Sequence, residues 1–364
     1  MKTVNLSSHN QDLFQKCLND NLLDSVSYQN LLVRNIIQEQ DLMSADIREP
    51  KNRISVIIPT YNRKMQLMEC INSILSQDYK NFEIIIVDDC SSDETEEYLS
   101  RVLVDSRLKY IKNTTNSGPG YSRRAGFREA TGEFVIFCDD DDYYLDPHFF
   151  TDAISIFENK EISLICSNTF THFEKENVFK FGDINFDSMI PVESYLQYFQ
   201  YKNTKPNSTF STIFRKRVLD EADLVNMKMV NDSSIYMRSL LCGGKVFVNR
   251  KIIGIYRVHS QNITFGIKAD FIIENLKEKK NIYKVIVEKN LFEDADEWFA
   301  KQIELTVKYL IEANPSNRDL IRVFIWILGN TNKNVVLLMR LCTYKQVVRV
   351  RKLRERFNLR NNEN

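Results

Sequence analysis

Three continuous runs of apolar and β-branched residues, "ISVIIP" (54–59), "FEIIIV" (82–87) and "FVIFC" (134–138), each stop abruptly at a polar loop: "TYN", "DDCSSD" and "DDDD". Runs of this kind lack the apolar–polar alternation of a half-exposed strand, and they predict strands buried on both faces. Between the first two, Leu67, Cys70, Ile71, Ile74 and Leu75 fall three and four apart, the stripe of an amphipathic helix. "LKYIK" (108–112) reads as a further short strand, and "GPGYSRRAGFREA" as a loop entering a helix. Ser91 and Glu94, three residues apart, predict a capping box that opens the helix after the second strand. Buried strands alternating with helices specify an α/β fold, a mainly parallel sheet with helices on both faces. Ligands of such sheets collect beyond the carboxyl ends of the strands, and every acidic segment named above falls at such an end.

On either side the texture differs. Residues 1–50 are polar with helical spacing and read as a helical extension; from about 150 to 265 short helices and isolated strands ("SLICS", "KVFVN", "IIGIYRVH") alternate with loops. Residues 266–364 are helical again and end in a basic tail, with nine Lys/Arg against the single acid Glu355 between 333 and 360. The whole chain of 364 residues carries 49 Lys/Arg and 49 Asp/Glu, a balance that gives no support to a nucleic-acid partner. Seven cysteines, with no C-x-x-C pair, point to reduced thiols in a cytoplasmic protein. "MKTVNLSSHNQDLFQ" has no apolar stretch of the signal-peptide kind, and no segment approaches the roughly 18 apolar residues of a membrane span.

Asp139 to Asp142 sit between a buried strand and the pair Tyr143–Tyr144, where four adjacent carboxylates repel one another unless a cation is near. Their oxygens suit Mg²⁺ or Mn²⁺, which keep open positions for phosphate oxygens. The plain alternative is a solvated acidic turn. Asp88–Asp89 has two readings as well: a strand end before a helix, or carboxylates that accept hydrogen bonds from a nucleotide's base or ribose. Asp232, just before "SSIYMRSLL", can cap that helix.

"VIIPTYNR", "SILSQDYKNFEIIIVDDCSSDET", "NSGPGYSRRAGFREATGEFVIFCDDDDYY" and "NDSSIYMRSLLCGG" together resemble the family 2 glycosyltransferases with the GT-A fold, over roughly residues 53–265. The resemblance implies one domain over 51–265, with a nucleotide-sugar half (51–150) and an acceptor half (151–265). It also implies metal-assisted, inverting transfer of a sugar from a nucleoside diphosphate, with UDP the expected nucleotide, to a saccharide acceptor. That acceptor would be a growing bacterial surface polysaccharide on a lipid carrier. By the same resemblance Thr60, Tyr61, Asn62 and Arg63 line the nucleotide, and Asp89, with Asp88 beside it, meets the base. Arg123 matches the arginine of the family's "ARNxG" segment and steadies the diphosphate, although Arg124 stands where asparagine is usual. Asp139, Asp140 and Asp141 occupy the D-x-D positions; Asp141 is the expected direct metal ligand, Asp139 or Asp140 faces the ribose or metal waters, and Asp142 is the further acid of such runs. Asp232 matches the general base of the "ED" motif, with Asn231 in place of the glutamate. His259, in "YRVHSQNIT", matches a histidine that completes the metal shell or contacts the diphosphate.

Rival classes read less well. A nucleotidyltransferase would show a lysine- and glycine-rich loop early in the chain, and "PTYNRK" is not one. A haloacid-type phosphatase carries its aspartates after the first strand rather than the fourth. A non-catalytic sugar-nucleotide scaffold would have lost Asp232 or the acidic run, and both are present. The basic tail could attract anionic head groups, although Val347, Val350, Arg351, Arg354 and Phe357 do not sort onto one face by sequence alone.

Overall fold

The structure, a computed structural model, describes residues 2–3, 8–34, 51–102, 105–184, 187–203, 205–259 and 267–362. The chain divides into two compact units, Met1–His259 and Ser260–Asn364.

The first unit is built on one sheet. Its strands are β3 (Ile54–Thr60), β4 (Phe82–Asp88), β5 (Leu108–Lys112), β6 (Phe134–Phe137), β7 (Tyr143–Tyr144), β8 (Ile162–Phe173), β9 (Val178–Phe181), β10 (Ser188–Pro191), β11 (Thr212–Arg215) and β12 (Lys245–Val258). The spatial order is β10-β12-β8-β11-β6-β3-β4-β5, with β7 on β12 and β9 on β8. β6, β3, β4 and β5 run parallel, which delivers the polar ends of β3, β4 and β6 to one edge. β11 enters antiparallel between β6 and β8 and joins this half to the second. The parallel α/β sheet expected from the apolar runs is therefore present, and β3, β4 and β6 are buried along their full lengths.

Helices α3 (Lys64–Leu75), α4 (Thr95–Val102), α5 (Pro119–Glu129), α6 (Phe149–Ile156), α7 (Val192–Gln197), α8 (Lys216–Glu221) and α9 (Asp232–Ser239) flank the sheet. α3 turns Leu67, Met68, Cys70, Ile71 and Ile74 inward, close to the stripe read from the sequence. A stacked Phe134–Phe157 pair, with centroids 4.3 Å apart, and Phe82 edge-on to Phe150 continue the core beneath the sheet. Ahead of the sheet, α1 (Ser8–Asn19) and α2 (Ser25–Leu32) cover the β8–β12 side, with Phe14 edge-on to Phe170 and Phe179 at 5.1 and 5.2 Å. Lys2–Thr3 (β1) and Val33–Arg34 (β2) pair antiparallel, and the remainder of the helical reading of 1–50, residues 35–50, lies outside the described residues.

Two local expectations are corrected. "KVFVN" and "IIGIYRVH" are one strand, β12, because register shifts between Val248 and Ile255 absorb the polar "NRK" without a turn. Ser91 and Glu94 form no capping box. α4 starts at Thr95, Glu94 has φ +63°, and Ser91 Oγ instead accepts the Asn62 N–H at 2.9 Å.

The second unit is helical: α10 (Ala269–Lys289), α11 (Ala295–Glu312), α12 (Asn317–Leu328) and α13 (Asn334–Asn362).

α5 lies so close to β3 and β4 that a Cβ at Gly126 would stand 2.4 Å from Ile57 Cγ2 and 3.1 Å from Val87 Cγ2. Gly126→Val must push the helix off the sheet and is expected to cost about 1–3 kcal/mol. A urea midpoint unchanged from wild type at equal m-value would contradict this packing.

Candidate active site

β6 stays in register to its end, where the Cys138 N–H still donates to Ile57 O, and the four aspartates turn immediately afterwards. Asp140, Asp141 and Asp142 are buried, so their charge needs partners. Thr60 Oγ1, at the end of β3, donates to Asp140 Oδ2 at 2.7 Å. Arg63 Nη1 bridges two of the acids, at 3.0 Å from Asp140 Oδ1 and 2.7 Å from Asp141 Oδ2. His259 Nε2, just past β12, lies 2.8 Å from the same Asp141 oxygen. Arg123 Nη2, from α5, donates to Asp139 Oδ1 at 2.6 Å. The counter-charge that the sequence demanded is supplied first by the protein's own cations.

The balance is uneven along the run. Burial pushes Asp141 up, but the His259 hydrogen bond and the Arg63 charge prevail and hold its carboxyl below the usual range. Burial and the neighbouring Asp141 charge push Asp140 up to about 7. Asp142, fully buried beside Asp141 and Asp139, is raised well above an ordinary carboxyl, and its Oδ1 accepts the Arg257 N–H at 3.2 Å. Of the expected metal set, the structure brings Asp141 and His259 together and turns Asp139 to Arg123. Among the described residues no group of three or more His, Cys, Asp or Glu is arranged to hold an ion. Residues 260–264, which follow His259 in "YRVHSQNIT", lie outside the described residues.

The ends of β3 and β4 lie at the same edge of the sheet. Tyr61 is 45% exposed and presents its ring to solvent. Asn62 takes the left-handed conformation (φ +53°), donates its N–H to Ser91 Oγ and accepts the Ser92 N–H at 2.7 Å, which stitches the loops after β3 and β4 together. Asp88 is buried, accepting from Ser91 N–H at 2.8 Å and from the Tyr110 hydroxyl. Asp89 accepts from Asn113 Nδ2, from Ser117 N–H and, at 2.6 Å, from Gly118 N–H. Both carboxylates are thus occupied in holding the loops, and Asp89 fixes the entry to α5, whose residue Arg123 reaches the acidic run.

Asp232 is the first residue of α9. The cap expected of it is made by Asn231, whose side chain accepts the Ser234 N–H while Ser234 Oγ accepts the Asn231 N–H. Asn231 was read only as a replacement for glutamate; its amide oxygen takes the capping bond and leaves the Asp232 carboxylate one-quarter exposed. Arg123 Nη2 lies 3.5 Å from Asp232 Oδ1, so one guanidinium ties the base candidate to Asp139. Arg123 is buried and also reaches Val230 O at 3.3 Å, so as placed it is committed to protein groups. Arg124, in the usual asparagine position, donates to Met227 O and holds the loop before α9.

Sequence reasoning missed Lys205. Its Nζ lies 3.9 Å from Asp232 Oδ2 and donates to Pro206 O and Asn207 O at 2.8 and 3.2 Å. Burial drives this amine below its usual pKa against the pull of Asp232. Only a lone lysine in a polar loop marked it, and nothing in "NTKPNS" tells which acid it meets.

The arrangement joins a partly open carboxylate at a helix N-terminus, three arginine-linked acids and an exposed aromatic at parallel strand ends. A match to the family model "Glycosyl transferase family 2" spans residues 55–222. The GalNAc(5)-diNAcBac-PP-undecaprenol beta-1,3-glucosyltransferase of Campylobacter jejuni is 31% identical over 221 residues, 59% of this chain and 68% of that protein. The poly(ribitol-phosphate) beta-N-acetylglucosaminyltransferase TarS of Staphylococcus aureus is 43% identical over 94 residues, 25% of this chain but only 16% of that protein. The crystal structure of S. aureus TarS 1–349 in complex with UDP-GlcNAc shares the fold, with a TM-score of 0.58 at 20% identity over 83% of this chain and 92% of that one. The chain therefore belongs to glycosyl transferase family 2 and is a glycosyltransferase of GT-A fold.

Proposed function

We propose that this glycosyltransferase moves a sugar from a UDP-sugar to a hydroxyl of a saccharide acceptor, with inversion, during assembly of a bacterial surface polysaccharide or glycoconjugate. The observation that carries the reading is the placement of Asp232: capped away from its own helix by Asn231, partly open, and tied through Arg123 to the acidic run. The TarS complex with UDP-GlcNAc supports a UDP donor, and the Campylobacter relative, named for an undecaprenol-linked saccharide, supports a lipid-linked acceptor. Residues 51–150 would take the nucleotide and 151–265 the acceptor, on the cytoplasmic side of the membrane.

In this reading Tyr61 covers the base, and Asp88 and Asp89 shape its pocket by fixing the loops around it. Asp232 accepts the proton of the acceptor hydroxyl as that oxygen bonds to the anomeric carbon and the bond to the diphosphate breaks. Arg123 and Lys205 hold the Asp232 carboxylate in place until the acceptor arrives. Asp141 and His259, an oxygen and a nitrogen 2.8 Å apart, are the residues that would hold Mn²⁺ or Mg²⁺, while Asp139 is taken up by Arg123. A bound ion would supply charge neutralisation for the departing diphosphate.

Asp232→Asn keeps the side chain's shape and removes the base, so kcat should fall by about 10²–10⁴-fold with little change in donor affinity. Transfer near the wild-type rate would end this assignment.

Asp140 gives a second test. Its folded pKa of about 7 lies above the ~3.9 of an unfolded aspartate. Between those values the folded chain holds a proton that the unfolded chain has lost, so the ligand-free protein loses stability as pH rises through this window. Asp140→Asn should therefore gain Tm relative to wild type from pH 5 to pH 8. A difference that stays flat or shrinks would show that Asp140 is ionised throughout.

A further inference from the structure

α12 and α13 are apolar on two sides. α12 buries Leu320, Val323 and Ile327, yet Ile321, Ile325 and Leu328, spaced four and three apart on another face, are each more than half exposed. α13 buries Leu337, Leu341 and Val348, and its exposed side carries Val336, Met339, Val347 and Val350. Eight of the 17 exposed large hydrophobic residues among those described fall on these two helices, which is more than scattered surface residues account for. The valines that did not sort by sequence therefore do sort once the buried side of α13 is known. The two helices run back to back: Lys345 of α13 donates to Asn317 at the start of α12, and a short loop joins their other ends.

The charge around the exposed side selects the occupant. Residues 333–360 hold nine Lys/Arg and one acid, nine minus one or a net +8, in a chain that is neutral overall. On the buried side Arg340, Arg351 and Tyr344 reach Glu304 and Glu312 of α11 and hold the helix down. Helical spacing puts Arg349, with Lys345 beyond it, on the flank of the exposed apolar stripe away from Arg340. Lys333, Arg340 and Arg351 pair with Glu297, Glu304 and Glu312 of α11, so nine less three less one leaves a net +5; a second copy seated here would bring two such segments together, whereas an anionic surface complements them. No described helix is long and apolar enough to cross a membrane.

We propose that the outer faces of α12 and α13 dock on an anionic lipid bilayer, the apolar stripe entering the head-group boundary and the basic flanks meeting lipid phosphates. The inference is independent of the donor and acceptor chemistry argued above.

The test is sedimentation of the full chain with vesicles of phosphatidylcholine containing about one-third phosphatidylglycerol, against pure phosphatidylcholine, at about 0.1 M salt. At least tenfold stronger binding to the anionic vesicles is expected. The variant M339E/V347E, altered at two exposed positions outside the unit that carries the groups assigned to transfer, should lose most of that binding while keeping wild-type donor turnover. Arg349→Glu should weaken binding and leave Tm unchanged. Equal binding to both vesicles, binding unaffected by M339E/V347E, or no pelleting at all overturns the proposal. So does a dimer in analytical ultracentrifugation that M339E/V347E dissolves, since a second copy would then own the face.

Discussion

Everything at this site follows from placing four carboxylates at the end of a fully buried strand. Water is shut away from Asp140, Asp141 and Asp142, and the fold answers with Arg63 across Asp140 and Asp141, His259 on Asp141 and Arg123 on the partly exposed Asp139. These partners come from three places far apart in the chain: the loop after β3, helix α5 and the end of β12. The pairing is therefore tertiary, and it holds the strand ends, the helix over them and the last strand to one another. The compensation is incomplete, as the raised carboxyls of Asp140 and Asp142 show.

The second constraint is the division of labour at the start of α9. A helix N-terminus needs a side-chain acceptor, and an aspartate at that position would ordinarily serve. Here Asn231 and Ser234 meet the need reciprocally, so the Asp232 carboxylate is not drawn into the backbone. It faces Arg123 and Lys205 at 3.5 and 3.9 Å and stays one-quarter exposed. Through Arg123, one side chain couples Asp139 of the acidic run to Asp232 at the start of α9.

The parallel sheet was legible because β3, β4 and β6 are uninterrupted β-branched runs, a pattern with few other solutions. Which residues sit at the strand ends was legible for the same reason. What those residues touch was not. Asp89 reads identically whether it meets a base or three backbone and side-chain donors of the 113–118 loop, since partners 24 to 29 residues away leave no local mark. The Ser91/Glu94 box failed because the competing partner, Asn62, comes from another loop. β12 was split in two because a bulge and a turn both call for short polar runs, and only the β8 partner strand decides between them. Lys205 was invisible, and the outer face of α13 emerged only when its inner face was known.

The most direct test of this account is a crystal structure of the protein with Mn²⁺ and UDP. The account predicts an ion in contact with Asp141 and His259, and an Arg63 that has let go of Asp141 to make way for it. A nucleotide bound with no ion at Asp141, and with the Arg63–Asp141 pair intact at its 2.7 Å separation, would contradict it.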